Sequence, residues 1–260
     1  RRRGLAKLDA SDEFERLFVG MLPHQLPPLY LEGYAQAREE AARRCARVPP
    51  VLVSANAWWF NEPFRFIAAA AVERGSRLIA VQHGGGYGVF RSAPLERHEC
   101  RIADTFVTWG WGKEGDGRYR SLPHPALSSR LRVPSSGRGG ASHRIGTILF
   151  VATGHPRYLY RFHSSPVGSQ WAEYLDWQLQ FLSALPQSLR RHLVFRPYRY
   201  DYGHAVRQRI SERFPQIRWE ATRPFSRLLR QARVVVIDPC APPCLEALVA
   251  NVPTVLFWDP

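Results

Sequence analysis

Apolar positions along this chain fall into two alternating patterns. Phe14, Leu17, Phe18 and Met21 recur at intervals of three and four behind Ser11 and Glu13, which predicts an N-capped amphipathic helix. Val51, Leu52 and Val53 instead form a short unbroken run between turn formers, which predicts a buried strand. The two patterns then take turns. Pro27-Pro28 leads into a helix over 29–47, ended by Pro49-Pro50. After the 51–53 strand, 56–61 reads as a loop, Pro63 opens an alanine-rich helix to Arg74, and Gly75 stops it. A strand at Arg77–Val81, a run of glycines, a helix over 96–103 and a strand at Thr105–Trp109 follow.

From 133 to 144 the composition shifts to Pro, Ser, Gly and Arg, the best linker candidate in the sequence. Beyond it the alternation restarts: strand Thr147–Val151, helix 170–185, strand Leu193–Arg196, helix 205–214, strand 217–219. Helix Phe225–Gln231, strand 234–237, helix 245–250 and strand 254–257 complete it. Strands alternating with helices argue for parallel sheets. The expectation is an α/β protein with two Rossmann-like lobes: 1–132, a Gly/Ser-rich linker at 133–144, and 145–260. Because the last apolar run reads as a strand without a covering helix, the second lobe is expected to be truncated at its carboxyl end.

Composition narrows the class. The 260 residues are 45% hydrophobic and 22% charged, a globular balance that excludes disordered, collagen-like and coiled-coil chains. The longest apolar run, 66–72, falls well short of the ~18–20 residues of a membrane helix, and Arg1-Arg2-Arg3-Gly4 is followed by no apolar signal region. Thirty-six Lys and Arg against 22 Asp and Glu leave a net charge of +14, which favours an anionic partner. Four scattered cysteines suit a reducing compartment rather than a disulfide framework. The expected location is the cytoplasm, with peripheral contact to an anionic membrane surface. Nucleic acid is not an expected partner: the arginines are spread along the chain, and no RNA-recognition, KH or helix-turn-helix signature is present.

In open α/β sheets ligands sit beyond the carboxyl ends of the strands, so the residues there are the ones to inspect. They are unusually polar: Ser54, Asn56, Gln82, His83, Trp109, Trp111, Thr153, Arg196, Tyr198 and Asp238. The sharpest feature is Gln82-His83-Gly84-Gly85-Gly86-Tyr87-Gly88. Its spacing fits neither the dinucleotide fingerprint nor a Walker loop. Glycines there let backbone N–H groups approach an anion while His83 adds a proton-transfer group; the plain alternative is a tight turn with His83 bonded to backbone. Glu99 and Asp104 are the carboxylates placed to act as nucleophile or base in glycosyl transfer, or else they belong to a solvated helix and its end. Arg196 can grip a phosphate with its fork, and Glu246 can hold a ribose. Cys240 and Cys244 lack two further ligands at zinc spacing, so they read as buried thiols. No metal site and no cofactor are expected.

Several of these motifs together resemble a known family. Gln82-His83-Gly84-Gly85-Gly86-Tyr87-Gly88, Glu96 to Glu99, Ile102-Ala103-Asp104 and Thr108-Trp109-Gly110-Trp111 look like the leptospiral-type family of surface-polysaccharide transferases. Pro156-Arg157-Tyr158, Asp201-Tyr202-Gly203, Leu245-Glu246-Ala247-Leu248 and Asn251-Val252-Pro253-Thr254 extend the likeness over nearly the whole chain. More distantly the sequence is similar to bacterial Kdo transferases of capsule and O-antigen assembly, which have a GT-B fold and use a CMP-activated acidic sugar without metal at the nucleotide. The resemblance implies an amino-terminal acceptor half with catalysis at Gln82-His83 and Glu99-Asp104. It also implies a donor half in which Arg196, Tyr198 and Glu246 face the nucleotide. Where the Kdo enzymes carry His-Pro, this chain has Arg196-Pro197.

The expected function is therefore a glycosyltransferase moving a sugar from a nucleotide-sugar donor to a glycan or lipid-linked acceptor. Asp104, Glu99 and His83 are its catalytic candidates. Gln82, Gly84, Gly85, Tyr87, Asn56 and Trp109 are expected at the substrate, and Arg196, Tyr198, Thr153, Asp238 and Glu246 at the nucleotide. The alternatives are a polyol-phosphate transferase of the teichoic-acid type and a non-enzymatic nucleic-acid-binding module.

Overall fold

The structure is a computed structural model that describes residues 2–5, 7–45, 47, 49–91, 93–131, 146–158, 168–238 and 242–257. The chain forms two compact units, Arg1–His83 with Leu95–Leu122, and Gly84–Pro94 with Pro123–Pro260. The glycine segment thus leaves the first unit immediately after His83 and groups with the second. The expected linker at 133–144 lies outside the described residues.

The first unit opens with α1 (Arg2–Leu5) and α2 (Glu13–Gln25). Asp12, not Ser11, caps α2 by accepting the Glu15 N–H at 2.8 Å, while the Glu15 carboxylate accepts the Ser11 N–H at 2.7 Å. After a separate 3-10 turn at Pro28–Tyr30, α3 spans only Tyr34–Arg44. It packs on α5 (Glu62–Val72) through Ala41, Cys45, Ala70 and Ala71, small residues that allow close approach. Between them lie β1 (Val51–Ser54) and a short helix, α4 (Ala57–Phe60), where the sequence reads as loop. That helix is anchored by local side-chain bonds to the end of β1. Ser54 Oγ accepts the Ala57 N–H, and the Trp58 indole donates to the Ser54 carbonyl, both at 3.0 Å.

β2 (Arg77–Val81), α6 (Pro94–Ile102), β3 (Thr105–Trp109) and β4 (Tyr119–Leu122) complete the unit. The strands are all parallel in the order β1-β2-β3-β4, with Ser54 paired to Ala80, Val81 to Val107 and Trp109 to Leu122. The carboxyl ends of β1, β2 and β3 therefore bring residues 54–59, 82–83 and 109–111 to one edge.

The second unit contains α7 (Pro125–Leu131), β5 (Thr147–Val151), α8 (Trp171–Ala184), α9 (Gln187–Arg190), β6 (Leu193–Arg196) and α10 (Val206–Arg213). It continues with β7 (Arg218–Trp219), α11 (Phe225–Gln231), β8 (Ala232–Ile237), α12 (Pro242–Val249) and β9 (Thr254–Leu256). All pairings are parallel in the order β7-β6-β5-β8-β9, the doubly wound arrangement. One face buries Phe150, Phe195 and Val236 under α8 and α10. The other buries Leu149, Val151, Val235 and Ile237 under α11 and α12. Strands covered on both faces read as continuous apolar runs, which is why they were visible in the sequence. Chain order reverses between β5 and β8, so their carboxyl ends form the switch point where such sheets bind ligands. Among the described residues no helix is long and apolar enough to cross a membrane.

Candidate active site

At the carboxyl edge of the first sheet a histidine and a carboxylate meet. His83 follows β2, and its Nδ1 lies 3.8 Å from Oε1 of Glu99, which α6 presents with no solvent exposure at all. The Trp59 indole of α4 donates to the same oxygen at 3.0 Å. A buried carboxylate needs such donors, and α4 exists at the place that supplies one. The His83 side chain keeps 25% of its surface exposed, enough to reach a substrate. Burial pulls its pKa below the usual imidazole value, against a hydrogen bond to the Ala55 backbone that pulls it up. A neutral imidazole beside a buried carboxylate is the arrangement of a general base, because the carboxylate stabilises the imidazolium formed on proton uptake.

The other predicted residues of this unit divide in two. Gln82 is buried, and its Oε1 accepts from the Trp109 N–H at 2.9 Å and from the Trp111 indole at 2.8 Å. It stitches β2 to the turn after β3, one residue before His83. Trp109 stands half-buried at the β3 end. Asn56 is exposed at the β1 end; its carbonyl accepts the Trp59 N–H at 3.1 Å.

Asp104 is a correction. It precedes β3, so it stands at the amino edge of the sheet, opposite His83. There its carboxylate accepts the Leu78 N–H at 2.8 Å while its own N–H donates to the Leu78 carbonyl at 3.0 Å. The structure joins Glu99 to His83 and separates Asp104 from both.

The glycine run forms a turn that closes on itself. Val89 and Phe90 donate to the Gly86 carbonyl, both at 3.2 Å. The Phe90 ring lies so close that a Cβ on Gly86 would come within 2.0 Å of it. Gly85 and Tyr87 are buried in this turn and Gly84 is half-buried against the Tyr87 ring, 3.7 Å from its own would-be Cβ.

In the second unit the β5–β8 switch point holds a buried polar network. Oδ1 of Asp238 accepts the Thr153 N–H at 3.1 Å; its Oδ2 accepts from Gln178 Nε2 at 2.8 Å and from the Tyr174 hydroxyl. Burial pushes the Asp238 carboxyl up to about 7, although the bonds from Tyr174, Gln178 and Thr153 pull the other way. Asp238 is 6% exposed and ties the end of β5 to α8 at the switch point.

Arg196 is separated from it by the sheet. Val151 pairs with both Arg196 and Ile237, so those three side chains share the α11 face, while Asp238, one residue on, turns to the α8 face. The Arg196 fork donates to the Arg223 carbonyl at 2.9 Å and lies 5.7 Å over the Phe225 ring, holding the entry to α11. A groove of about 200 Å³ on that face, lined by Arg218, Trp219, Glu220, Arg223 and Leu228 among others, contains none of the predicted site residues. Tyr198 is exposed beyond β6, and Glu246 is half-buried on α12. Cys45, Cys100 and Cys244 are buried; Cys240 lies outside the described residues.

Three functional partners escaped the sequence reading: Trp59, Tyr174 and Gln178. Trp59 sits in a segment that reads as loop. Tyr174 and Gln178 are spaced i, i+4 on α8, a polar pair on an otherwise apolar face, which was the available signal. Among the described residues no three His, Cys, Asp or Glu side chains gather as a metal would require.

The chain belongs to the LIC12162 family of transferases, whose model matches residues 1–260. No curated protein matches it.

Proposed function

We propose that this transferase is a glycosyltransferase of GT-B type, carrying a sugar from a nucleotide donor to a hydroxyl of a cell-surface polysaccharide or its lipid-linked precursor. The observation that carries the reading is His83, neutral and partly exposed beside the enclosed Glu99. His83 takes the proton of the acceptor hydroxyl as its oxygen attacks the anomeric carbon. The bond from that carbon to the donor phosphate breaks, and the nucleotide leaves with the electron pair. Glu99 is sealed from solvent, so it steadies the imidazolium and does not attack. A single displacement then inverts the anomeric configuration.

In this reading the first unit is the acceptor side and the second holds the donor around the β5–β8 switch point. A CMP-activated acidic sugar suits the arginine-rich composition, and a net charge of +14 suits work at an anionic cytoplasmic membrane surface. The test is turnover of CMP-, UDP- and GDP-activated sugars, with CDP-polyol as a further arm, read as released nucleotide. Sugar transfer that disappears in His83→Ala supports the reading. Turnover of CDP-polyol alone, or full sugar transfer by His83→Ala, overturns it.

A further inference from the structure

Beyond β6 the chain runs Pro197-Tyr198-Arg199-Tyr200-Asp201-Tyr202-Gly203-His204, and its three tyrosine rings gather into one cluster. Tyr198 and Tyr202 lie nearly parallel, with centroids 5.9 Å apart and planes 24° apart. Tyr200 is tilted against both, at 6.5 and 5.8 Å. Core rings would be enclosed, yet Tyr198 is 43% and Tyr200 54% exposed. Packing alone does not account for ordered aromatic rings turned to solvent.

The loop is held in shape at some cost. Tyr202 and Ala205 have left-handed backbones, with φ of 55° and 53°, a conformation disfavoured for residues with side chains. The Asp201 carboxylate fixes it by accepting the N–H groups of Ala205 at 2.9 Å and Val206 at 3.0 Å. Under the cluster lies Gly154, just past the end of the central strand. A Cβ there would come within 2.7 Å of the Tyr198 Cβ, so only glycine lets the ring settle on the carboxyl end of β5. The cluster therefore stands beside Thr153, at the switch point. The Arg199 guanidinium is 5.4 Å over the Tyr200 ring, and Arg157, exposed on the β5 loop, acts by its charge on His204 at the end of the tyrosine segment. In the same layer Trp171 stacks on His204 with centroids 4.0 Å apart, and its buried indole N–H has no hydrogen-bond partner among the described residues.

We infer that Tyr198, Tyr200 and Tyr202 form a stacking platform for the base of a nucleoside phosphate, with Arg199 and Arg157 meeting its charge. Exposed rings bind the face of any base, guanidinium groups pair with phosphate, and doubly wound sheets place nucleotides at this end of these strands. The inference rests on the nucleotide-donor reading above and says where the base of that donor lies.

Calorimetric titration of the intact chain with CMP, UMP, GMP and AMP, and with ribose 5-phosphate as a probe lacking the base, tests it. At least one mononucleotide is expected to bind on the order of tenfold more tightly than ribose 5-phosphate. Tyr198→Ala with Tyr200→Ala removes that advantage and leaves ribose 5-phosphate binding unchanged, whereas the paired Phe substitutions keep it, because stacking needs the ring and not the hydroxyl. Tyr200→Ala alone, at a half-exposed ring, should lose part of the advantage with an unaltered circular dichroism melt. Equal mononucleotide affinity in the paired Ala variant overturns the platform and leaves the donor reading standing. Binding of no mononucleotide by the unaltered chain overturns both. Loss confined to a single-stranded oligonucleotide or an acidic oligosaccharide assigns the rings to another ligand and overturns the platform as well.

Discussion

Replacing Asp238 by Asn should make the protein more stable in mild alkali and remove a pH dependence that the native chain carries. The carboxyl is pushed from 3.8 to about 7 by burial. Its folded pKa is raised, so its contribution to stability is complete below pH 4, declines as pH rises, and is gone above about pH 7. A change of that size corresponds to about 4 kcal/mol. Asn carries no titratable proton, and the site can accept it. Its carbonyl takes the Thr153 N–H, and its amide group faces Tyr174 and Gln178. The Tyr174 hydroxyl can rotate to accept, and Gln178 can flip to offer Oε1, which is buried without a hydrogen-bond partner among the described residues. Asp238→Ala, by contrast, strands the Tyr174 hydroxyl and the Gln178 amide, while the Thr153 N–H keeps its 3.1 Å bond to the Tyr174 oxygen, and should cost about 2 kcal/mol or more. Urea denaturation from pH 4.5 to 9 checks this, taken as the difference between native and Asn chains so that histidine titrations cancel. A flat difference curve, or an Asn variant weaker than native at pH 8.5, would refute the account of a carboxylate held at the expense of ionisation.

Four further outcomes follow from the first unit. His83→Ala should lower transferase turnover by on the order of 10²–10⁴-fold without changing the melt. Because burial lowers the imidazole pKa, the acid limb of native activity should lie below the ordinary imidazole value, where the base becomes protonated; a pH–rate profile with Glu99→Gln alongside checks that the acid limb moves. Asp104→Ala should cost about 1 kcal/mol of stability through the lost Leu78 bond and leave turnover per folded molecule intact, measured by melts and active fraction together. Gln82→Leu leaves the Trp109 N–H and the Trp111 indole without their acceptor and should cost about 2 kcal/mol or more, with blue-shifted tryptophan fluorescence absent if the turn holds its place.

The strands of the second unit could be read from the chain because both of their faces are buried. Leu193–Arg196 and Thr147–Val151 carry the apolar runs Leu-Val-Phe and Ile-Leu-Phe-Val, and their expected bounds are those the fold adopts. Tyr119–Leu122 escaped because three of its four residues are exposed and only pairing with Thr105–Trp109 makes it a strand. The polar residues after each strand were equally legible, since parallel sheets send them to one edge. Which of them act together was not. Glu99 and Asp104 looked interchangeable five residues apart, yet one lies under α4 at the carboxyl edge and the other is clamped to Leu78 at the amino edge.

The amino-acid sequence by itself determined the alternation of helix and strand, the parallel sheets and the end of each sheet where chemistry belongs, because these depend on local periodicity and burial. Only the tertiary structure decided that Trp59 and His83 share one carboxylate, that Arg196 and Asp238 lie on opposite faces, and that Gly84–Pro94 leaves the unit it follows. Hydrogen bonds to a buried carboxylate are made across elements forty or more residues apart, and no spacing along the chain encodes their direction.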